Sequence, residues 1–123
     1  MNENEISYAV RGAAFKVYNE LGPGLFESVY EVCMAHLLSK DGYVVKTQVA
    51  LPVIFQEVQM DVGFRMDIDI NNKVVVEIKS VEALHDVHHK QLLTYLKLSG
   101  RKLGLLINFN ESPLKIVRIV NGL

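Results

Sequence analysis

The chain has 123 residues, half of them hydrophobic and 22% charged, with a formal net charge of −1. That supplies one sizeable core and no room for a second, so a single domain over residues 1–123 is expected. The near-neutral balance offers no global attraction for a polyanion, and no apolar run approaches a membrane span, so a cytoplasmic protein away from membranes is expected, whose contacts with nucleic acid would have to come from local charge clustering.

Ile6, Val10, Ala13, Val17 and Leu21 recur at helical spacing and predict a first helix, capped by Ser7 or an upstream Asn. Gly22, Pro23 and Gly24 break it. A second helix is expected from about Leu25, burying Tyr30, Cys33, Met34, Leu37 and Leu38 and stopping at Asp41 and Gly42. Glu27 then falls in its first turn, where an acid is favoured by the helix dipole whatever else it does. Tyr30 reads as core packing. The lone Cys33 cannot close an internal disulfide and reads as a reduced core residue.

Residues 43–55 are β-branched and predict a strand bent at Pro52; a turn at Gln56 and Glu57 returns the chain through residues 58–70, kinked at Gly63. A hairpin follows, from Arg65 to Lys79. Alternation puts Met66, Ile68, Ile70, Val74, Val76 and Ile78 on one face and Arg65, Asp67, Asp69, Val75, Glu77 and Lys79 on the other. A two-residue turn would mix these faces. A three-residue connection or bulge sets Ile68 opposite Val76 and Asp67 opposite Glu77, and is therefore expected.

Two acids directly across an antiparallel pair lie within about 5 Å at Cβ and repel unless a cation sits between them. Hard oxygen ligands of this kind suit Mg²⁺ or Mn²⁺, and Lys79, on the same face, would position a water or stabilise developing negative charge. The same residues also suit a solvated charge lattice, Asp67 with Lys79 and Glu77 with Arg65. Arg65 opposite Lys79 is an unfavourable pair unless an anion lies between them. Arg65, Lys79, His88, Lys90, Lys97, Arg101 and Lys102 are candidates for a positive rim.

A third helix is expected to open at residues 80–83 and run to Leu98, with Ser99 and Gly100 ending it. His88, Gln91 and Tyr95 lie on one stripe of it, between Leu84 and Leu92. His85, His88 and His89 have the spacing of a histidine metal site but lack a further spaced ligand. Residues 103–109 are almost wholly apolar and predict a central strand, reached by a parallel crossover; a turn at residues 111–113 leads to a last strand over 114–120. The last strand and the first helix are the candidate surfaces for a homodimer.

In order along the chain, Glu27 on a helix, Asp67, Glu77-x-Lys79, then Gln91-x-x-x-Tyr95 resembles the PD-(D/E)XK nuclease superfamily, in the Gln-x-x-x-Tyr branch that includes lambda-exonuclease-like enzymes. Gly24, Glu27 and Tyr30 match the spacing that names the small GxxExxY proteins. The resemblance runs from about Ala9 to Val120, with Met66 where the superfamily has the proline of its Pro-Asp pair. It implies a restriction-endonuclease-like three-layer α/β/α core: two N-terminal helices, a β-meander, a crossover helix, a parallel strand and a final edge strand. It further implies Mg²⁺ or Mn²⁺ held by Asp67, Glu77, the Ile78 carbonyl and Glu27, with Lys79, Glu27, Gln91 and Tyr95 as catalytic residues. The activity implied is phosphodiester hydrolysis in nucleic acid, DNA ahead of RNA. The alternative is a nuclease-fold module that binds nucleic acid or a protein without cleaving.

Overall fold

The computed structural model describes residues 1–123. α1 (Glu3–Leu21) begins where the Asn2 side chain accepts the Glu5 amide at 2.8 Å and the Glu5 carboxylate accepts the Asn2 amide at 3.1 Å, which satisfies two donors at the helix start. Gly22 ends it in a positive-φ conformation, φ 70. α2 (Glu27–Lys40) buries Tyr30, Met34 and Leu38, spaced four apart on one face. Cys33 and Leu37, expected in the core, are only half-buried at its margin.

The strands are β1 (Val45–Ala50), β2 (Val53–Phe55), β3 (Val58–Met60), β4 (Arg65–Ile70) and β5 (Val74–Lys79), followed by α3 (Asp86–Ser99), β6 (Leu103–Asn108) and β7 (Lys115–Val120). Five of them form one sheet in the order β1-β4-β5-β6-β7, parallel between β5 and β6 and antiparallel elsewhere. The crossover through α3 and the edge position of β7 match the expected topology. Expectation and structure part at residues 43–70. Pro52 breaks the strand outright, and β2 and β3 pair only with each other in a separate ribbon turned by Gln56 and Glu57, both at positive φ. Between β3 and β4, Asp61 accepts the Gly63 amide at 2.9 Å in a side-chain turn.

α1 and α2 cover one sheet face. Ile6, Val10, Val17, Tyr30, Met34 and Leu38 pack on Ile68, Ile70, Val74, Val76, Ile78 and alternate residues of β6. α3 covers the other face, with Leu92, Tyr95 and Leu96 on Leu51, Met66, Val75 and Leu106. Each such fully buried side chain contributes about 1.5–3 kcal/mol of apolar burial. β6 is buried at all six positions, as a strand covered on both faces must be. Its Gly104 permits close approach of α3, because a Cβ there would lie 3.0 Å from three carbons of Leu92.

α3 starts later than expected. Residues 80–84 are held as a loop: the Ser80 hydroxyl donates to the Leu25 carbonyl at 2.6 Å rather than capping a helix, and buried Asn108 accepts the Val81 amide at 3.1 Å and donates to the Val81 carbonyl at 2.9 Å. No helix is long and apolar enough to cross a membrane.

Candidate active site

Residues 71–73 connect β4 to β5, with Asn71 and Asn72 at φ 53 and φ 54, values that asparagine tolerates better than most side chains. This three-residue connection sets Ile68 opposite Val76, Asp69 opposite Val75 and Ile70 opposite Val74, the register the face pattern demanded. One step further along, Asp67 and Glu77 join the strands through their side chains. Glu77 Oε1 accepts the Asp67 amide at 3.1 Å, and Asp67 Oδ2 accepts the Ile78 amide at 2.8 Å. The two carboxyl groups are thus pinned against one another's strand.

Glu77 is 4% exposed. Its carboxyl is pushed up to about 9, first by desolvation and then by the Asp67 charge, against the hydrogen bond from the Asp67 amide; the Asp67 carboxylate adds to the rise and the Lys79 ammonium opposes it. Without a cation, the pair therefore holds a proton at neutral pH. Buried Tyr95 from α3 lies near enough to the pair for both charges to act on its hydroxyl. Its hydroxyl accepts the Gln91 side-chain amide at 3.0 Å, and its ring packs on Phe64 at 5.5 Å between centroids. Burial pushes the Tyr95 hydroxyl up, with the Glu77 and Asp67 charges adding to it against the Gln91 hydrogen bond and the Arg65 main chain.

On the open side lies a cleft of about 410 Å³ lined by Glu27, Ser28, Glu31, Gln48 and Asp67, all polar. Glu27, the first residue of α2, accepts the Ser80 amide at 3.0 Å and so ties the helix to the end of β5. One turn on, Glu31 accepts from Gln48 Nε2 at 2.6 Å, and the same nitrogen donates to Asp67 Oδ1 at 3.3 Å. The Glu31 carboxyl is raised by partial burial and by the Asp67 charge, against the Gln48 hydrogen bond. Gln48 sits at φ 50 inside β1, a conformation that costs on the order of 1 kcal/mol for a side chain of this size. Tyr30 holds the turn before α2: its hydroxyl donates to the Gly22 carbonyl at 2.6 Å and accepts the Leu25 amide at 3.1 Å, while its ring stacks on Phe109.

The structure brings Asp67, Glu77, Lys79 and Tyr95 to one place and sets Glu27 at its edge. Four expectations change. Met66 does not share the face of Ile68; it packs under α3 with Val75 and Tyr95, while Ile68 packs under α1 and α2, so the alternation is interrupted between them. Arg65 is engaged by Asp61 at 3.5 Å and by the Phe64 carbonyl, not paired with Glu77. Arg101 leaves the positive rim, since it forms a two-point ion pair with buried Asp69 at 3.0 and 3.2 Å. The histidine run shapes a helix start, where His88 Nδ1 accepts the His85 amide at 3.0 Å. Burial lowers His88 first, followed by the nearby Lys79, His85 and His89 charges, with Glu27 opposing.

Sequence reasoning missed Glu31 and Gln48. Glu31 had a signal, one helical turn after Glu27 and so on the same face. Gln48 had none, because nothing in its neighbours marks a left-handed residue within a strand.

Residues 4–119 match the sequence profile described as the PD-(D/E)XK nuclease superfamily. The chain belongs to this superfamily. Its mixed sheet with helices on both faces is the superfamily's restriction-endonuclease-like architecture. The chain is also similar to the crystal structure of SSO0001, with 26% sequence identity and a TM-score of 0.58 over 79% of this chain; it spans about half (51%) of that chain's length. No curated protein matches.

Proteins of this superfamily typically use divalent metals. The donor set here fits such an ion in type: two adjacent carboxyl groups, one so desolvated that it retains a proton that a cation would displace. No three His, Cys, Asp or Glu side chains are gathered in ligating positions, and the Glu27 carboxylate is engaged by the Ser80 amide.

Proposed function

We propose that this protein hydrolyses phosphodiester bonds in nucleic acid, DNA ahead of RNA, with Mg²⁺ or Mn²⁺ at Asp67 and Glu77, and that it lies in the GxxExxY group of the Gln-x-x-x-Tyr branch. The observation that supports this most is the apposition of the Asp67 and Glu77 carboxyl groups, each accepting a main-chain amide of the other's strand, with Glu77 two residues from Lys79. A pair that repels in a desolvated place lowers stability, and a divalent ion removes that conflict.

Asp67, Glu77 and the Ile78 carbonyl would hold the ion, with Glu27 at its margin. A bound divalent ion supplies charge neutralisation at the phosphate and a water of lowered pKa. Lys79, close enough for its charge to act on both Glu77 and His88, orients the attacking water or meets the developing negative charge. Tyr95, fixed by Gln91, stands close enough to Glu77 and Asp67 to feel both charges, while the Asp67 amide holds the Glu77 carboxyl against β4. The wholly polar cleft carries three acids and no base, so it repels phosphate until cations are present. Nucleic-acid binding should therefore depend on divalent ions. The cytoplasm, which holds both nucleic acid and Mg²⁺, is the compartment we propose for this activity.

The test is a paired measurement. Lys79→Ala retains Mn²⁺ affinity and loses cleavage of single-stranded DNA, duplex DNA or RNA; cleavage undiminished in that variant refutes the assignment. A second reading, a nuclease-fold module that binds without cleaving, draws on one observation, the commitment of Glu27 to the Ser80 amide. It predicts ion binding by the wild type with all three polymers left intact.

A further inference from the structure

We propose that Gln48 is a positioning residue of this site, its side-chain amide fixing the Asp67 carboxylate where that group lines the cleft. The inference rests on reading Asp67 as an ion ligand, and it starts from an irregularity in an otherwise continuous ladder. β1 and β4 pair Thr47 with Ile68 and Val49 with Met66. Between these pairs the register sets Gln48 opposite Asp67, and there Gln48 takes φ 50. Glutamine has no local means of easing such a backbone, unlike glycine or asparagine. An edge strand that needed only a twist or a break would be served by glycine at this point.

The side chain gives the irregularity a use. Gln48 Nε2 donates to Asp67 Oδ1 at 3.3 Å, while the other Asp67 oxygen, Oδ2, accepts the Ile78 amide at 2.8 Å. Asp67 is thereby held from β1 on one side and β5 on the other. The same Gln48 nitrogen reaches Glu31 at 2.6 Å. Since Glu31 stands one turn beyond Glu27 on α2, the amide also links the helix bearing Glu27 to the strand bearing Asp67. A neutral donor is the chemistry such a role needs. It orients two carboxylates and relieves their mutual repulsion without supplying a positive charge, so the Asp67 charge remains for a cation. Lysine or arginine at this position would compete with that cation.

The decisive variant is Gln48→Gly, which removes the amide and suits φ 50, so that the backbone conformation is kept without strain. Three measurements on the full chain separate the outcomes: urea unfolding, exchange of the Ile78 amide by NMR without metal, and Mn²⁺ affinity. A positioning role predicts that the cooperative transition is retained, with the strain released at φ 50 set against the repulsion restored between Glu31 and Asp67. Ile78 exchange is accelerated at least about tenfold relative to Val76, and Mn²⁺ affinity is weakened by about ten- to a hundredfold. Ile78 exchange unchanged in Gln48→Gly overturns the inference, as does a lowered midpoint with Mn²⁺ affinity intact, which is what a purely structural residue would give. A wild type that binds no Mn²⁺ removes the ion-site reading and, with it, the purpose assigned to Gln48, while Ile78 exchange still reports whether Gln48 holds Asp67.

Discussion

Replacing Glu77 with glutamine should stabilise the ion-free protein at neutral and alkaline pH and leave it unchanged in acid. Glu77 is 4% exposed, and its carboxyl is raised from 4.5 to about 9 by desolvation and then by Asp67. A carboxyl raised on folding binds its proton more tightly in the native state than in the unfolded chain. Its contribution to stability is therefore complete below about pH 4.5 and declines by about 1.4 kcal/mol per pH unit as pH rises towards about 9. At pH 7 the decline has reached about 3 kcal/mol, taken over the 2.5 pH units above 4.5. Glutamine mimics the neutral acid and does not titrate, so Glu77→Gln should gain that difference over the wild type. Urea unfolding between pH 5 and pH 9 in chelator measures it. The expected result is a gap between the two proteins that widens with pH in chelator and closes when Mn²⁺ is added to the wild type. Parallel pH profiles would refute the account of Glu77 as a desolvated acid held against Asp67.

Arg101→Ala should cost about 3–5 kcal/mol, because it leaves the Asp69 carboxylate buried without its two-point partner; adding Asp69→Ala should restore most of that loss in urea unfolding. Asn108→Ala should lower stability by about 1–3 kcal/mol and raise the amide exchange of Val81, since it abandons both Val81 polar groups and the Glu111 carboxylate. Tyr95→Phe should keep the ring on Phe64 and lose the Gln91 hydrogen bond, costing about 1 kcal/mol of stability, while Gln91 side-chain amide protons become freely exchanging by NMR.

The fold was legible wherever burial on a given face left the chain few choices. The register of β4 and β5 followed from the apolar set Ile68, Ile70, Val74, Val76 and Ile78, which a shift of one residue would have turned away from α1 and α2. The central placement of β6 followed from an unbroken apolar run. The apposition of Asp67 and Glu77 came with the register and needed no tertiary knowledge.

The errors lie where tertiary partners override local preference. Residues 80–83 read as the opening of a helix, yet the Ser80 amide and hydroxyl are claimed by Glu27 and Leu25, residues remote in the chain, and α3 begins at Asp86. Residues 43–55 read as one bent strand, but β2 left the sheet with β3, and no periodicity distinguishes a ribbon from the edge of a larger sheet. Met66 obeys alternation on paper and departs from it in space, packing under α3 while Ile68 packs under α1 and α2. Arg101 looked like a free surface charge, since the burial of Asp69 32 residues away is invisible to local pattern.

Calorimetric titration of the full chain with Mn²⁺ at pH 7, in buffers of differing ionisation enthalpy, bears most directly on the pairing of Asp67 and Glu77. One saturable site that releases a proton as the ion enters, and that is lost in both Asp67→Ala and Glu77→Gln, is the predicted result. Absence of saturable binding, or binding in either variant as strong as in the wild type, would contradict it.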